Sequence, residues 1–134
     1  MRRVATALPT EHAEQVAVVE YLHRFYPDAL FWSTPNGAHF FGGPKQRFGM
    51  VNKVKREGML PGVSDLIVFE PRGGYSALFL EMKRERGGEL HENQMWFLRE
   101  VEKRGGFGAV AQGFDEARQI VDDYLTGKIV VGCA

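Results

Sequence analysis

Gly62-Val63-Ser64-Asp65-Leu66-Ile67-Val68-Phe69, then Gly73-Gly74, then Ala77-Leu78-Phe79-Leu80-Glu81-Met82-Lys83 is the stretch that decides the fold. Two short apolar runs separated by turn residues predict a β-hairpin whose strands are largely buried. Side chains alternate between the two faces of a strand, so Glu81 and Lys83 project from one side while Leu80 and Met82 pack on the other. Asp65 stands at the mouth of the first run, and an antiparallel partner brings it near Glu81.

Two carboxylates held a few ångströms apart repel, and burial penalises each, unless a cation is shared between them. Oxygen ligands of this kind suit Mg²⁺ or Mn²⁺, which keep several waters and bind through one or two carboxylates plus a substrate phosphate. A lysine beside them can orient or deprotonate a water and offset charge on phosphorus. The chemistry expected of such a cluster is phosphodiester hydrolysis.

Asp65 precedes Glu81-x-Lys83 by 16 positions, and this pattern resembles the PD-(D/E)XK nuclease superfamily. Gly62-x-x-Asp65 after a basic helix, Asn36-Gly37 upstream, Glu11-x-x-x-Gln15 near the start and Gln94 opening a later helix are similar to its virus-type replication-repair nuclease (VRR-NUC) branch, over roughly residues 11 to 125. The family usually shows Pro before the Asp, where this chain has Ser64. Proline only stiffens the approach to that strand, whereas the carboxylate binds metal.

The resemblance implies a restriction-endonuclease-like α/β fold, a mixed sheet flanked by helices, in a single domain spanning residues 1–134. It implies Mg²⁺-dependent, structure-specific cleavage of DNA, with resolution of four-way (Holliday) junctions by a homodimer as one form. Asp65, Glu81 and the Met82 backbone carbonyl would hold the metal, and Lys83 would orient or activate the attacking water. Glu11 would complete a second metal position or tune the first, with Glu14 in reserve, and Gln94 would steady the cluster. The alternatives are a catalytically silent nucleic-acid-binding module on the same fold, and a ββα-metal nuclease using His91 and Asn93, which lacks a matched second histidine.

Charged residues balance at 17 Lys plus Arg against 17 Asp plus Glu, so overall charge does not advertise a polyanionic partner. Their distribution says more, although two solvated helix faces of opposite sign would read the same way without the carboxylate cluster. Lys45, Arg47, Lys53, Lys55 and Arg56 fall in one stretch and Lys83, Arg84 and Arg86 in another, while Asp115, Glu116, Asp122 and Asp123 load the opposite sign into the tail. That asymmetry can create a phosphate-binding surface on a neutral protein; the basic residues of the first stretch, with Arg84, are the candidate DNA contacts. At 44% hydrophobic and 25% charged residues, the composition is that of a soluble globular chain. No apolar run approaches the roughly 20 residues that span a bilayer, and Val4 to Leu8 is too short for a secretory core. A cytoplasmic protein, in a bacterial cell or phage-infected host, is the expectation. Cys133 has no partner for a disulfide.

Thr10 is the expected cap of a first helix, in which Glu11, Gln15, Val18, Leu22 and Phe25 recur at spacings of 4, 3, 4 and 3 along one face as far as Tyr26. Ala29–Ser33 reads as an aromatic strand and Pro35–Pro44 as a glycine-rich excursion whose His39, Phe40 and Phe41 need cover. A basic helix over Gln46–Glu57, interrupted at Gly49, is expected to line the approach to Asp65. A helix from His91 to Arg104, a buried strand over Phe107–Ala111 and an amphipathic helix over Phe114–Tyr124 complete a strand–helix–strand crossover with a parallel pair. Trp96 is expected in the core or an interface, and Lys128–Ala134 as an edge strand or a loose tail.

Overall fold

The computed structural model describes residues 7–35 and 43–132. Its elements are α1 (Glu11–Phe25), β1 (Phe31–Ser33), α2 (Pro44–Arg56), β2 (Leu66–Val68), β3 (Leu78–Lys83), α3 (Glu92–Lys103), β4 (Phe107–Gln112) and α4 (Phe114–Leu125). The expected readings of Asn36-Gly37, His39, Phe40, Phe41 and Cys133 lie outside the described residues.

The four strands form one mixed sheet in the order β1-β2-β3-β4. β2 is antiparallel to β1 and to β3, with Leu66 opposite Leu80; β3 and β4 run parallel, with Glu81 opposite Val110. The hairpin and the parallel crossover are thus as the hydrophobic pattern predicts. Continuing the β2–β3 register by one residue sets Asp65 across from Glu81.

Strand alternation separates core from site. Leu66, Val68, Leu78, Leu80, Met82 and Ala111 face α1 and α4, where they are buried with Val18, Leu22, Ala117, Val121 and Tyr124. Burying that set supplies the main drive to fold, at about 25 cal/mol per Å² of apolar surface removed from water. Asp122 of α4 accepts hydrogen bonds from the hydroxyls of Tyr21 and Tyr26, both 2.7 Å, tying α1 to α4. On the opposite face Phe79 meets Phe97 of α3 edge-on, at 6.0 Å between ring centres. Gly108 lets α3 approach: a Cβ there would stand 3.0 Å from Leu98 Cδ2.

Several expectations need correction. The buried row of α1 is Glu14, Val18 and Leu22, and Phe25 is 56% exposed, because α1 packs against α4 along a line rotated from the apolar stripe. α2 is continuous through Gly49, and it buries none of its residues. Trp96 is 43% exposed, so it is not core. Lys128–Gly132 forms no strand; Ile129 packs on the core and the Val131 amide donates to the Gly73 carbonyl (2.9 Å).

Candidate active site

Asp65, Glu81 and Lys83 come together at one end of the β2–β3 hairpin, and all three are buried, Glu81 to 2% exposure. Asp65 is held by its own backbone and by its neighbour strand. Its carbonyl accepts from the Thr34 amide (3.0 Å), and its Oδ2 accepts from the Met82 amide (2.7 Å). That second bond pins the carboxylate to β3 between Glu81 and Lys83. Lys83 Nζ lies 3.7 Å from Glu81 Oε1. The stem of Lys83 is covered by the turn that follows β3, where a Cβ on Gly88 would stand 3.0 Å from Lys83 Cβ.

Gln94 reaches the cluster from α3. Its Nε2 donates to Glu81 Oε1 (2.7 Å), while its Oε1 accepts from the His91 amide at the start of the helix (2.9 Å). One amide therefore fixes both the helix end and the carboxylate, so a capping role and a site contact coexist. Gly62 makes this junction possible. Its φ is +90°, and a Cβ there would lie 2.5 Å from the Asn93 carbonyl oxygen, so only glycine lets the loop before Asp65 sit against the first turn of α3.

The electrostatics are unfavourable for an isolated carboxylate pair. Burial first, then the charge of Asp65, pushes Glu81 up to about 8, against the pull of Lys83; a hydrogen bond to Asp65 and the charge of Glu11 raise it further. Glu81 Oε2 is buried without a hydrogen-bond partner. Once Glu81 gives up its proton its oxygens only accept, and beside a second carboxylate a hard cation would satisfy them. Among the described residues no three His, Cys, Asp or Glu side chains are grouped so as to hold a metal. The donor chemistry of the buried pair Asp65 and Glu81 alone fits a hard cation such as Mg²⁺ or Mn²⁺, whose remaining positions water and phosphate would have to fill.

The two α1 carboxylates separate clearly. Glu14 is buried and accepts from the Phe114 amide, the first residue of α4, so it serves the N-terminus of that helix. Glu11 is half-buried and lines a cavity of about 580 Å³ together with Asp65. A second cavity of about 290 Å³ on the other side of Asp65 is lined by Lys55, Gly62, His91 and Gln94. Of the basic residues on α2, Lys55 alone borders Asp65's cavities; Lys53 and Arg56 line a separate surface hollow, and Lys45 and Arg47 are exposed on the first turns. Arg84 is exposed directly after Lys83.

Sequence reasoning missed Thr34 and Gly88 as parts of the site and took Gly62 only as a motif position before Asp65. Thr34 lines both cavities and its hydroxyl donates to the Ser64 carbonyl. The positive φ of Gly62 is readable from sequence only as a turn, and nothing in the sequence marks Thr34.

A mixed sheet with an Asp at the mouth of one hairpin strand and Glu-x-Lys on the next defines a nuclease-like α/β domain of the restriction-endonuclease kind. The VRR-NUC domain family model matches residues 10–115. A solved structure of a VRR_NUC domain protein superposes with a TM-score of 0.73 at 22% identity, covering 90% of this chain and 91% of that one, and so shows the same fold. The search of curated proteins gives no match. The chain belongs to the VRR-NUC family of nuclease domains. Among the described residues no helix is long and apolar enough to cross a membrane.

Proposed function

We propose that this protein is a metal-dependent, structure-specific DNA endonuclease that hydrolyses phosphodiester bonds, acting in the cytoplasm. The observation that carries the reading is Glu81, buried beside Asp65 with one carboxylate oxygen unpartnered and Lys83 at 3.7 Å from the other. Asp65 and Glu81 would hold Mg²⁺ or Mn²⁺ with the Met82 carbonyl, and Glu11, lining the cavity beside Asp65, would tune the site by its charge. Bound there, the cation supplies Lewis acidity that polarises the scissile phosphate and steadies the leaving oxygen.

The remaining work falls to the chain. Lys83, fixed by the buried stem, orients or activates the attacking water and offsets negative charge on the phosphate. Gln94 fixes the rotamer of Glu81, and Gly62 sets α3 close enough for it to do so. Lys55 contacts the backbone nearest the site, with Lys45, Arg47, Lys53, Arg56 and Arg84 following the strand farther out; such contacts position DNA without reading sequence.

Branched DNA is the substrate class we favour, cut by a homodimer carrying two centres, with the four-way junction as the symmetric case. What supports association is the half of the sheet that α3 leaves uncovered. There Trp32 on β1 is 43% exposed, and Leu30 just before β1 and Phe69 just after β2 are 55% and 52% exposed. A dimeric solution mass and paired nicks on a junction are expected; a monomeric mass with cleavage of one strand would remove the dimer.

The reaction itself is tested by incubating branched and linear DNA with Mg²⁺, Mn²⁺ or chelator. Cleavage with metal, none with chelator, and a Lys83→Ala protein that binds without cutting are the expected results. Binding with no cutting under any metal would make the chain a silent nucleic-acid-binding module.

A further inference from the structure

The two cavities that meet at Asp65 differ in chemistry. The smaller one holds Lys55 and the start of α3. The larger, about 580 Å³ between α1 and the residues after β1, has no Lys or Arg among the described residues that line it. Val16, Val19 and Pro35 give it an apolar surface, and His12, Gln15, Glu20, Ser33 and Thr34 give it a polar rim. Glu11 and Asp65 close the end nearest the site.

A nucleic-acid strand offers two chemically distinct parts to such a groove, a polyanionic backbone and flat bases with polar edges. The acidic rim repels phosphate, so the backbone belongs on the Lys55 side. The apolar surface and the acceptor-rich rim match a base, and the volume lies within the 300–1,000 Å³ range of small-molecule sites. Paired and stacked bases cannot enter a cleft of that size, so the base it takes is one that has left the duplex.

We propose that this cavity receives an unpaired nucleobase adjoining the phosphate at Asp65, and that it thereby selects DNA in which a base is free to leave the stack. The proposal rests on the nuclease reading only for the position of that phosphate. The Glu20 carboxylate accepts hydrogen bonds and the Gln15 amide can accept or donate, so the rim suits the N–H-bearing edge of a base.

The test uses the full chain with Ca²⁺ in place of Mg²⁺ and a branched oligonucleotide in which 2-aminopurine is moved along the unpaired strand one position at a time. Among the described residues that line the cavity there is no Phe, Tyr or Trp ring, so the base brightens at one position as it leaves its stacked neighbours. An abasic residue at that position weakens binding at least tenfold. Val16 is 40% exposed, so Val16→Trp fills the cavity without disturbing the core; it abolishes the brightening and leaves binding of the abasic oligonucleotide unchanged. Glu20→Leu, a second and independent change at the rim, weakens binding of the oligonucleotide that carries the base and leaves binding of the abasic oligonucleotide unchanged.

No bright position, or brightening undiminished in Val16→Trp, would overturn the base site. Cleavage with Mg²⁺ separates the two ideas: cutting without brightening removes only the cavity's occupant, and brightening without cutting keeps the base site and removes the reaction.

Discussion

Replacing Glu81 by Gln should stabilise the metal-free protein while destroying its metal site. In the fold Glu81 is raised from 4.5 to about 8, so between those values the native state holds a proton that the unfolded chain has released. Native stability therefore falls as pH rises through that window, being greatest below 4.5 and lowest above about 8. At about 1.4 kcal/mol per unit of pH, the loss is about 3 kcal/mol by pH 7 and on the order of 5 above pH 8.

The substituted glutamine carries no charge to repel Asp65, and its carbonyl can keep the bond from Gln94, which reaches Glu81 at 2.7 Å. The variant should gain most of that energy, which for a chain of this size is a rise in melting midpoint on the order of 10 °C at pH 8. Scanning calorimetry in chelator from pH 5 to pH 9, with both proteins, is the assay. The wild type should lose stability with rising pH relative to the variant, and Mn²⁺ should raise the midpoint of the wild type alone. An equal or lower midpoint for Glu81→Gln at pH 8, with the same pH trend, would refute the reasoning.

Lys83→Ala should reduce the cleavage rate by about 10²–10⁴ with little change in DNA affinity, as single-turnover kinetics beside a binding titration would show. Ser64 Oγ is fully buried without a partner, so Ser64→Ala should leave stability unchanged or raise it by about 1 kcal/mol in urea unfolding. Glu14→Ala, which strips the Phe114 amide of its acceptor, should lower stability by about 1–2 kcal/mol, whereas Glu11→Gln should leave the urea midpoint nearly unchanged and weaken the metal dependence of cleavage. If those two effects were exchanged, the assignment of the α1 carboxylates would be wrong.

The hairpin is legible in the sequence because it is encoded locally. Leu80 and Met82 alternate with Glu81 and Lys83, turn glycines lie between the runs, and one register alone buries Leu66 against the core. The pairing of Asp65 with Glu81 follows from that register. Gln94 is legible as an amide at the head of an apolar helical face, though its second bond, to the His91 amide, is not.

The α1 face misleads a sequence reading for a physical reason. A periodicity count treats a glutamate in the buried row as a mismatch, and the acceptor need that makes Glu14 belong there sits 100 residues away, at Phe114. Phe25 looks like core for the converse reason: apolar spacing says which residues share a face, and only the position of α4 says how far that face is covered. On α2 composition reveals the helix and its charge but not its placement, since its apolar residues, with Val51 and Val54 only half-buried, are too few to say where it docks.

The central claim is that Asp65 and Glu81 are tolerated together because a divalent ion takes the place of the proton that Glu81 otherwise holds. Titration calorimetry of Mn²⁺ into the chain at pH 7, repeated in buffers of different ionisation enthalpy, tests it directly. The account predicts saturable binding with release of close to one proton, and loss of both in Asp65→Asn. Binding unaffected by that substitution, or no binding at millimolar Mn²⁺, would contradict it.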